Sequence, residues 1–277
     1  MSRKIKIFLI IFICVLMAVF CLFYYKYDNN KSEVIFFDVG QGDSALINLP
    51  GNNEILIDGG PDKTVLYKLN KYLPVYNRSI ELMILTHPHS DHYTGLISVI
   101  DHYKVKKIIM TELKENSTAY DVFLEKIMEK NIEIKKPKDI EEIKLTDNIF
   151  LDVIYPWESL QGADFDKAND SSIVVKLNTP VKNFLFTGDI EAVAENEILE
   201  NIEEERLKAV VLKVPHHGSG TSSNQDFVNA VSPEVAVISV GEDNKFGHPN
   251  LRVVRRLERA GAEVFRTDLY GDVVFKF

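Results

Sequence analysis

The chain has 277 residues, with 32 Lys and Arg against 41 Asp and Glu for a formal net charge of −9, 45% apolar residues and 10% aromatic residues. That composition supplies core for one or two globular domains and excludes wholesale disorder. Removing residues 1–31 takes away five basic residues and one acid, which leaves 27 basic and 40 acidic residues and a net charge of −13. Such a balance disfavours a passive DNA binder but not an enzyme that holds phosphates through metal ions.

In chain order, the first feature is an uncharged run over residues 7–25, preceded by Arg3, Lys4 and Lys6. A secretory-signal core spans roughly 7–15 residues and a bilayer needs ~20, so the run predicts an uncleaved transmembrane helix. No small-x-small cleavage site follows Tyr25. Residues 1–31 then form anchor and linker, and the positive-inside rule places residues 32–277 outside the cell membrane as a single-pass protein's extracytoplasmic domain. Both cysteines, Cys14 and Cys21, lie in the run. The remainder therefore has no disulfide framework, cysteine nucleophile or Cys-rich zinc site.

Residues 34–40, 45–49 and 54–60 read as an antiparallel meander. A helix over 64–73, a strand over 82–88, a helix from about 93, a strand over 106–110 and an amphipathic helix over 118–130 follow. Residues 135–146 and 157–169 are polar and read as surface excursions. Strands at 173–177, 183–189, 210–216 and 235–240 then alternate with helices at 191–201, after Ser223 and at 250–260, before two closing strands. Each half has a strand ending in Gly/Asp, ILIDGG and FLFTGD, which suggests two β-rich halves with sheets face to face and helices outside. The alternation alone equally suits a doubly wound sheet.

Five of the seven histidines fall in two clusters. The first is HPHSDH, residues 87–92. In an extended stretch residues i and i+2 point the same way, so His87 and His89 can share one ion, and Pro88 keeps His87 extended. A turn after His89 lets Asp91 and His92 face a second ion. Imidazole and carboxylate suit Zn²⁺ and Mn²⁺. Asp189 ends a strand where one carboxylate can bridge both ions, and His216-His217 can add another imidazole.

HPHSDH, with LIDGG upstream and FTGD downstream, resembles the metallo-β-lactamase superfamily. DVGQGDS (38–44), NDSS (169–172), LFTGDIE (185–191), LKVPHHGSGTSS (212–223) and FGHPN (246–250) resemble one branch, the C-terminal hydrolase domain of ComEC competence proteins. The resemblance implies an α+β fold, an αββα four-layer sandwich with the site at the edge of the two sheets. It implies His87 and His89 on the first metal, Asp91 and His92 on the second, Asp189 between them, and His217 as the further ligand, with His216 beside it or on substrate. It implies His248 as a transition-state donor. The family's additional histidine has no match: His102, the one histidine in that interval, falls on an exposed helix, so Asp170 stands in, and a carboxylate there favours harder ions such as Mn²⁺. ComEC also carries a many-helix channel where this chain has a single apolar segment, so a stand-alone anchored hydrolase is expected.

The leading functional reading is a phosphodiesterase or nuclease acting on a phosphodiester such as DNA. Two divalent ions, Zn²⁺ or Mn²⁺, would activate water toward a pKa of about 7 and clamp the reacting oxygens, with Asp91, His216 and His248 as catalytic groups. Ser219, Thr221 and Ser222 lead into a helix and could hold a phosphate oxygen, unless Ser222 or Ser223 merely caps that helix. Lys213, Lys245 and Arg252 are further candidate phosphate contacts. The alternative is an esterase, lactonase or β-lactamase-like hydrolase of a small substrate, which the acidic balance favours mildly. A non-enzymatic anchored binding protein is opposed by the full ligand set.

Overall fold

The computed structural model describes residues 3–28, 32–51, 53–161 and 168–277, with side chains of the first helix as far as Val19. That helix, α1 (Arg3–Asp28), is 26 residues long, and its apolar side chains between Ile5 and Val19 are exposed. Among the described residues no helix is long and apolar enough to cross a membrane.

Apolar alternation organises the rest. The meander forms as expected: β1 (Glu33–Phe36), β2 (Ala45–Leu49) and β3 (Asn53–Ile57) pair antiparallel in sequence order. After α2 (Thr64–Tyr72), the parallel strands β4 (Ser79–Ile84), β5 (Lys104–Ile109) and β6 (Glu133–Lys135) extend this sheet, linked by α3 (Ser90–His102) and α4 (Thr118–Glu129). On β1, Val34 and Phe36 face a second sheet while Ile35 faces the helices; Ile55 and Ile57 against Leu56 repeat the split on β3. This is the period-2 pattern of a sheet covered on both faces.

The second sheet runs β13-β12-β11-β10-β9-β8-β7. Its members are β7 (Glu142–Lys144), β8 (Phe150–Tyr155), β9 (Val174–Asn178), β10 (Asn183–Phe186), β11 (Val211–Lys213), β12 (Val235–Ile238) and β13 (Glu263–Arg266), covered by α5 (Ala192–Asn201), α6 (Glu204–Leu207), α7 (Gln225–Val231) and α8 (Leu251–Arg259). Phe184, Phe186 and Val211 point to the intersheet core, and Leu185 and Leu212 to the helices. Phe36 and Phe186 stack across the two sheets at 5.5 Å. Such a pair adds about 0.5–1.5 kcal/mol beyond its buried area. The result is helices, sheet, sheet, helices. The doubly wound alternative is excluded by two separate sheets sharing one core.

Three expectations change. Residues 135–146 are not a plain excursion: β6 ends at Lys135 on one sheet, a 3-10 turn follows, and β7 opens the other. Their side chains are mostly exposed, which removed the alternation that marks a strand. β8 was not anticipated, although Leu151 and Val153 are core residues. The closing strands separate: β13 joins the second sheet, whereas β14 (Val273–Lys276), after α9 (Thr267–Tyr270), returns to pair with β1. Asp272 secures that return by accepting from Lys68 (2.6 Å), Lys71 (2.8 Å), the Tyr72 hydroxyl (3.0 Å) and the Asp38 amide (3.0 Å). Of the excursion at 157–169, residues 162–167 lie outside the described residues.

Candidate metal centre

The C-terminal ends of β3, β4, β10, β11 and β12 all open on one edge of the sandwich. Asp58 follows β3, the His87-Pro88-His89 stretch follows β4, and Asp189 follows β10. His89 occupies the N-cap of α3 in extended conformation, so Asp91 and His92 fall in its first turn. An acid there also suits the helix dipole. The loops interlock through their backbones: the Gly59 amide donates to the His92 carbonyl (2.7 Å) and the Gly60 amide to the Asp43 carbonyl (2.8 Å). A Cβ on Gly95 would fall 1.9 Å from the Gly59 carbonyl oxygen, so only glycine permits this approach.

One oxygen of Asp189 is the hub. Oδ2 lies 3.3 Å from Nε2 of His92, 3.3 Å from Nε2 of His217 and 4.0 Å from Nε2 of His87. Asp91 Oδ2 is 3.4 Å from His217 Nε2 and 3.9 Å from His92 Nε2. Separations of this size match the edges of a small coordination polyhedron with bonds of about 2.0–2.2 Å.

The imidazoles are oriented from behind. His92 Nδ1 donates to Asp58 (2.9 Å), and His217 Nδ1 donates to the Ser239 carbonyl (2.9 Å). The Thr86 hydroxyl gives its proton to Asp58 (2.7 Å), so it accepts from His87 Nδ1 (3.1 Å). These partners leave each Nε2 lone pair facing inward, as metal-binding histidines require. Nε2 of His92 and of His217 is buried without a properly aligned hydrogen bond. His87 Nε2 and His89 Nδ1 face each other at 2.9 Å, a contact of two ring nitrogens that needs a proton or a cation between them. The donor set therefore fits divalent cations. Among the described residues, groups able to hold an ion include His87, His92 and Asp189, and Asp91, His92 and His217.

Electrostatics make the same demand. Burial alone disfavours imidazolium at His92 and His217, yet surrounding carboxylates, Asp189 first, outweigh it and raise both pKa values well above the ordinary histidine range. Burial opposes ionisation of Asp189, but His217, His92 and Lys213 hold its carboxyl well below the usual range. His87 is pushed the other way by burial and the neighbouring His92, and is neutral. The pocket attracts positive charge.

Two aspartates at this edge carried no site role in the sequence reading. Asp58 accepts from His92, the Thr86 amide (2.8 Å) and the Thr86 hydroxyl; Asp43 pairs with the buried Lys213 and lies 3.3 Å from His217 Nδ1. Their signal was the strand-adjacent Asp beside glycine in GQGDS and LIDGG, strings that carried the family resemblance without either Asp being given a role.

Several expectations are corrected. Asp170 lies in none of the candidate ion groups; its Oδ1 accepts the Glu191 (2.9 Å) and Ala194 (3.2 Å) amides and so caps α5, while Ser172 of the same motif accepts the Asp189 amide (2.9 Å). Ser222 is buried and donates to the Pro215 and Ser219 carbonyls. Ser219 is buried and pairs with Thr221 (2.9 Å), whose hydroxyl donates to Glu191 (2.8 Å). The helix entry is not open to phosphate, because the Glu195 carboxylate already accepts the Ser223 and Asn224 amides. Neither Ser222 nor Ser223 caps α7; the Asn224 side chain does, at 2.8 Å from the Phe227 amide. Lys213 cannot reach substrate, being buried between Asp43, the Gly188 carbonyl (2.7 Å) and Asp189 Oδ1 (3.3 Å).

His216 is half-buried with Nδ1 2.9 Å from Glu191, and the His248 ring lies 5.6 Å from His216 and 6.4 Å from His217. Lys245 and Arg252 are exposed. His102 sits exposed at the end of α3, bonded to the Ser98 carbonyl (2.8 Å), away from the cluster.

A family model for the metallo-beta-lactamase superfamily matches residues 37–242. The chain belongs to that superfamily. Its site edge and two-sheet core are thus those of a metal-dependent hydrolase fold, with competence proteins among its relatives. It is similar to ComE operon protein 3 of Bacillus subtilis (28% identical over 279 residues, 94% of this chain and 35% of that protein). It is also similar to competence protein ComA of Neisseria gonorrhoeae (29% over 258 residues, 89% of this chain and 32% of that protein). The chain thus spans about a third of the length of the curated relatives it matches. Among solved structures similar in fold, Zn²⁺-bound PqqB of Methylobacterium extorquens superposes with a TM-score of 0.55 at 10% identity, over 88% of this chain and 100% of that one.

Proposed function

We propose that this chain is a phosphodiesterase acting on nucleic acid at a centre for two divalent ions, Zn²⁺ or Mn²⁺. The observation that carries it is Asp189 Oδ2 facing the Nε2 atoms of His87, His92 and His217 at once. An Asp189 carboxylate placed in this way would belong to both ligand sets. His87, His89 and Asp189 would hold one; Asp91, His92, His217 and Asp189 would hold the other. When bound, the pair supplies an activated water and Lewis-acid neutralisation of phosphoryl charge. The name of the competence-protein relative supports a nucleic-acid substrate.

The chain's own groups do the remainder. Asp58, Thr86 and the Ser239 carbonyl fix the imidazole tautomers, and Lys213 restrains Asp189 through Oδ1. Burial and the neighbouring His216 and His217 lower the His248 pKa from its ordinary value, and as a neutral imidazole it would donate toward the departing oxygen. Membrane attachment through α1, with residues 32–277 extracytoplasmic, belongs to the same reading; it is supported by the uncharged run at residues 7–25 behind three basic residues. Protease added to intact cells should remove the domain, and full protection reverses the topology.

The decisive assay presents single-stranded DNA, bis-p-nitrophenyl phosphate and a carboxylic ester or lactone in parallel, with Mn²⁺ or Zn²⁺. Phosphodiester turnover that His89→Ala and Asp189→Asn abolish, with the fold retained, is expected. Turnover of carbonyl substrates alone would make the small-substrate hydrolase the correct reading.

A further inference from the structure

The loop between β12 and α8 presents an aromatic ring that the chemistry above does not use. Phe246 is 61% exposed, and its ring lies nearly parallel to that of His248, at 5.9 Å and 14°. His248 in turn stands 5.6 Å from the His216 ring and 6.4 Å from the His217 ring, so Phe246 is the outermost member of an aromatic series that begins at the candidate metal centre. The Lys245 ammonium lies 5.9 Å from the Phe246 centroid.

This loop is held in shape. The Asn244 side chain accepts the His248 amide (2.9 Å) and donates to the carbonyls of His248 (2.7 Å) and Gly241 (2.9 Å). The Asn250 amide donates to the Gly218 carbonyl (2.8 Å), which docks the loop on the histidine turn after β11. Gly247, at φ +73°, has open space where a side chain would be. The ring is therefore projected toward solvent by a braced turn with room alongside it.

We propose that Phe246 is a stacking platform for the nucleobase beside the scissile phosphate of a single-stranded polynucleotide, with Lys245 meeting the adjoining backbone. This rests on the phosphodiesterase reading and extends it to a substrate form. An exposed ring with a cation at its side is the combination by which single strands are held without sequence preference. Bases in an intact duplex are already stacked on their neighbours and cannot occupy it. The −13 charge of residues 32–277 makes such local contacts matter, because no general basic field draws the strand in.

The test uses the full chain with Mn²⁺ and two single strands of equal length, one with ordinary bases and one of abasic tetrahydrofuran residues. Wild type should show a KM for the base-containing strand about 5- to 150-fold lower, the range expected for stacking one base. Phe246→Ala should erase most of that difference and leave kcat on the abasic strand unchanged; Phe246→Trp should keep it. Equal KM values for the two strands in wild type, or equal losses on both in Phe246→Ala, overturn the platform while leaving the phosphodiesterase reading intact. If neither strand is cleaved, that reading fails, and 2-aminopurine fluorescence decides the platform separately. Quenching by wild type and not by Phe246→Ala supports it, and no difference between them overturns it.

Discussion

Replacing Asp58 by Asn isolates the role of an aspartate that touches no substrate. One oxygen accepts the Thr86 amide at 2.8 Å and must remain an oxygen, so the new NH₂ takes the place of Oδ2, 2.7 Å from the Thr86 hydroxyl and 2.9 Å from His92 Nδ1. The hydroxyl can turn to accept, but the His92 N–H then meets another donor. His92 escapes by moving its proton to Nε2, the atom that faces Asp189. A charge-assisted hydrogen bond contributes roughly 1.5–3 kcal/mol, and loss of a carboxylate behind a ligating histidine costs about 10–100-fold in metal affinity, or ~1.4–2.7 kcal/mol. Burial holds the Asp58 pKa above its ordinary value despite His92, so a neutral isostere relieves part of that strain and the metal-free fold should lose no more than ~2 kcal/mol. Chelator-competition titration of Zn²⁺ or Mn²⁺, paired with thermal unfolding of the metal-free protein, reads both quantities. A folded Asp58→Asn protein with wild-type metal affinity would show that Asp58 does not set the His92 tautomer.

Two further outcomes concern pH and backbone. Burial raises the Glu195 pKa to about 7, above the ordinary 4.5, so its contribution to stability is full below pH 4.5 and is lost as pH rises through about 7; Glu195→Gln should remove on the order of 3 kcal/mol of the stability lost between pH 4.5 and 8 in urea melts, and the buried Glu54, raised to about 7 as well, keeps a residual slope. An unaltered slope in the variant would assign the pH effect elsewhere. Gly188 sits at φ +51° with a Cβ position 2.7 Å from the Ser172 Cβ, so Gly188→Ala should destabilise by at least ~1–3 kcal/mol and shift Asp189, read as a lowered melting temperature with weakened metal binding.

Much of the site was legible as short-range pattern. HPHSDH placed four potential ligands within six residues because an extended step and a helix start aim neighbouring side chains predictably, and Pro88 marked the step. Asp189 and His217 read as strand-end residues, and both lie at that edge beside the first cluster. Helices over 64–73, 118–130 and 250–260 were visible from apolar spacing and lie within a residue or two of α2, α4 and α8.

What the tertiary structure decided are matters of long-range neighbourhood. Asp170 and Asp58 are both aspartates near strands, yet one caps α5 and the other orients His92, because their partners lie 21 and 34 residues away. Lys213 looked like a surface cation suited to phosphate; packing of β11 between β10 and β12 buries it against two carboxylates that sequence separation conceals. The Ser/Gly-rich entry to α7 looked open to an anion until Glu195, 28 residues earlier, arrived there first. Local periodicity determines which way a side chain points from its own backbone, whereas the group it meets is set by which strands adjoin. That choice belongs to the closed sandwich, where burial makes each unpaired charge too costly to leave without its partner.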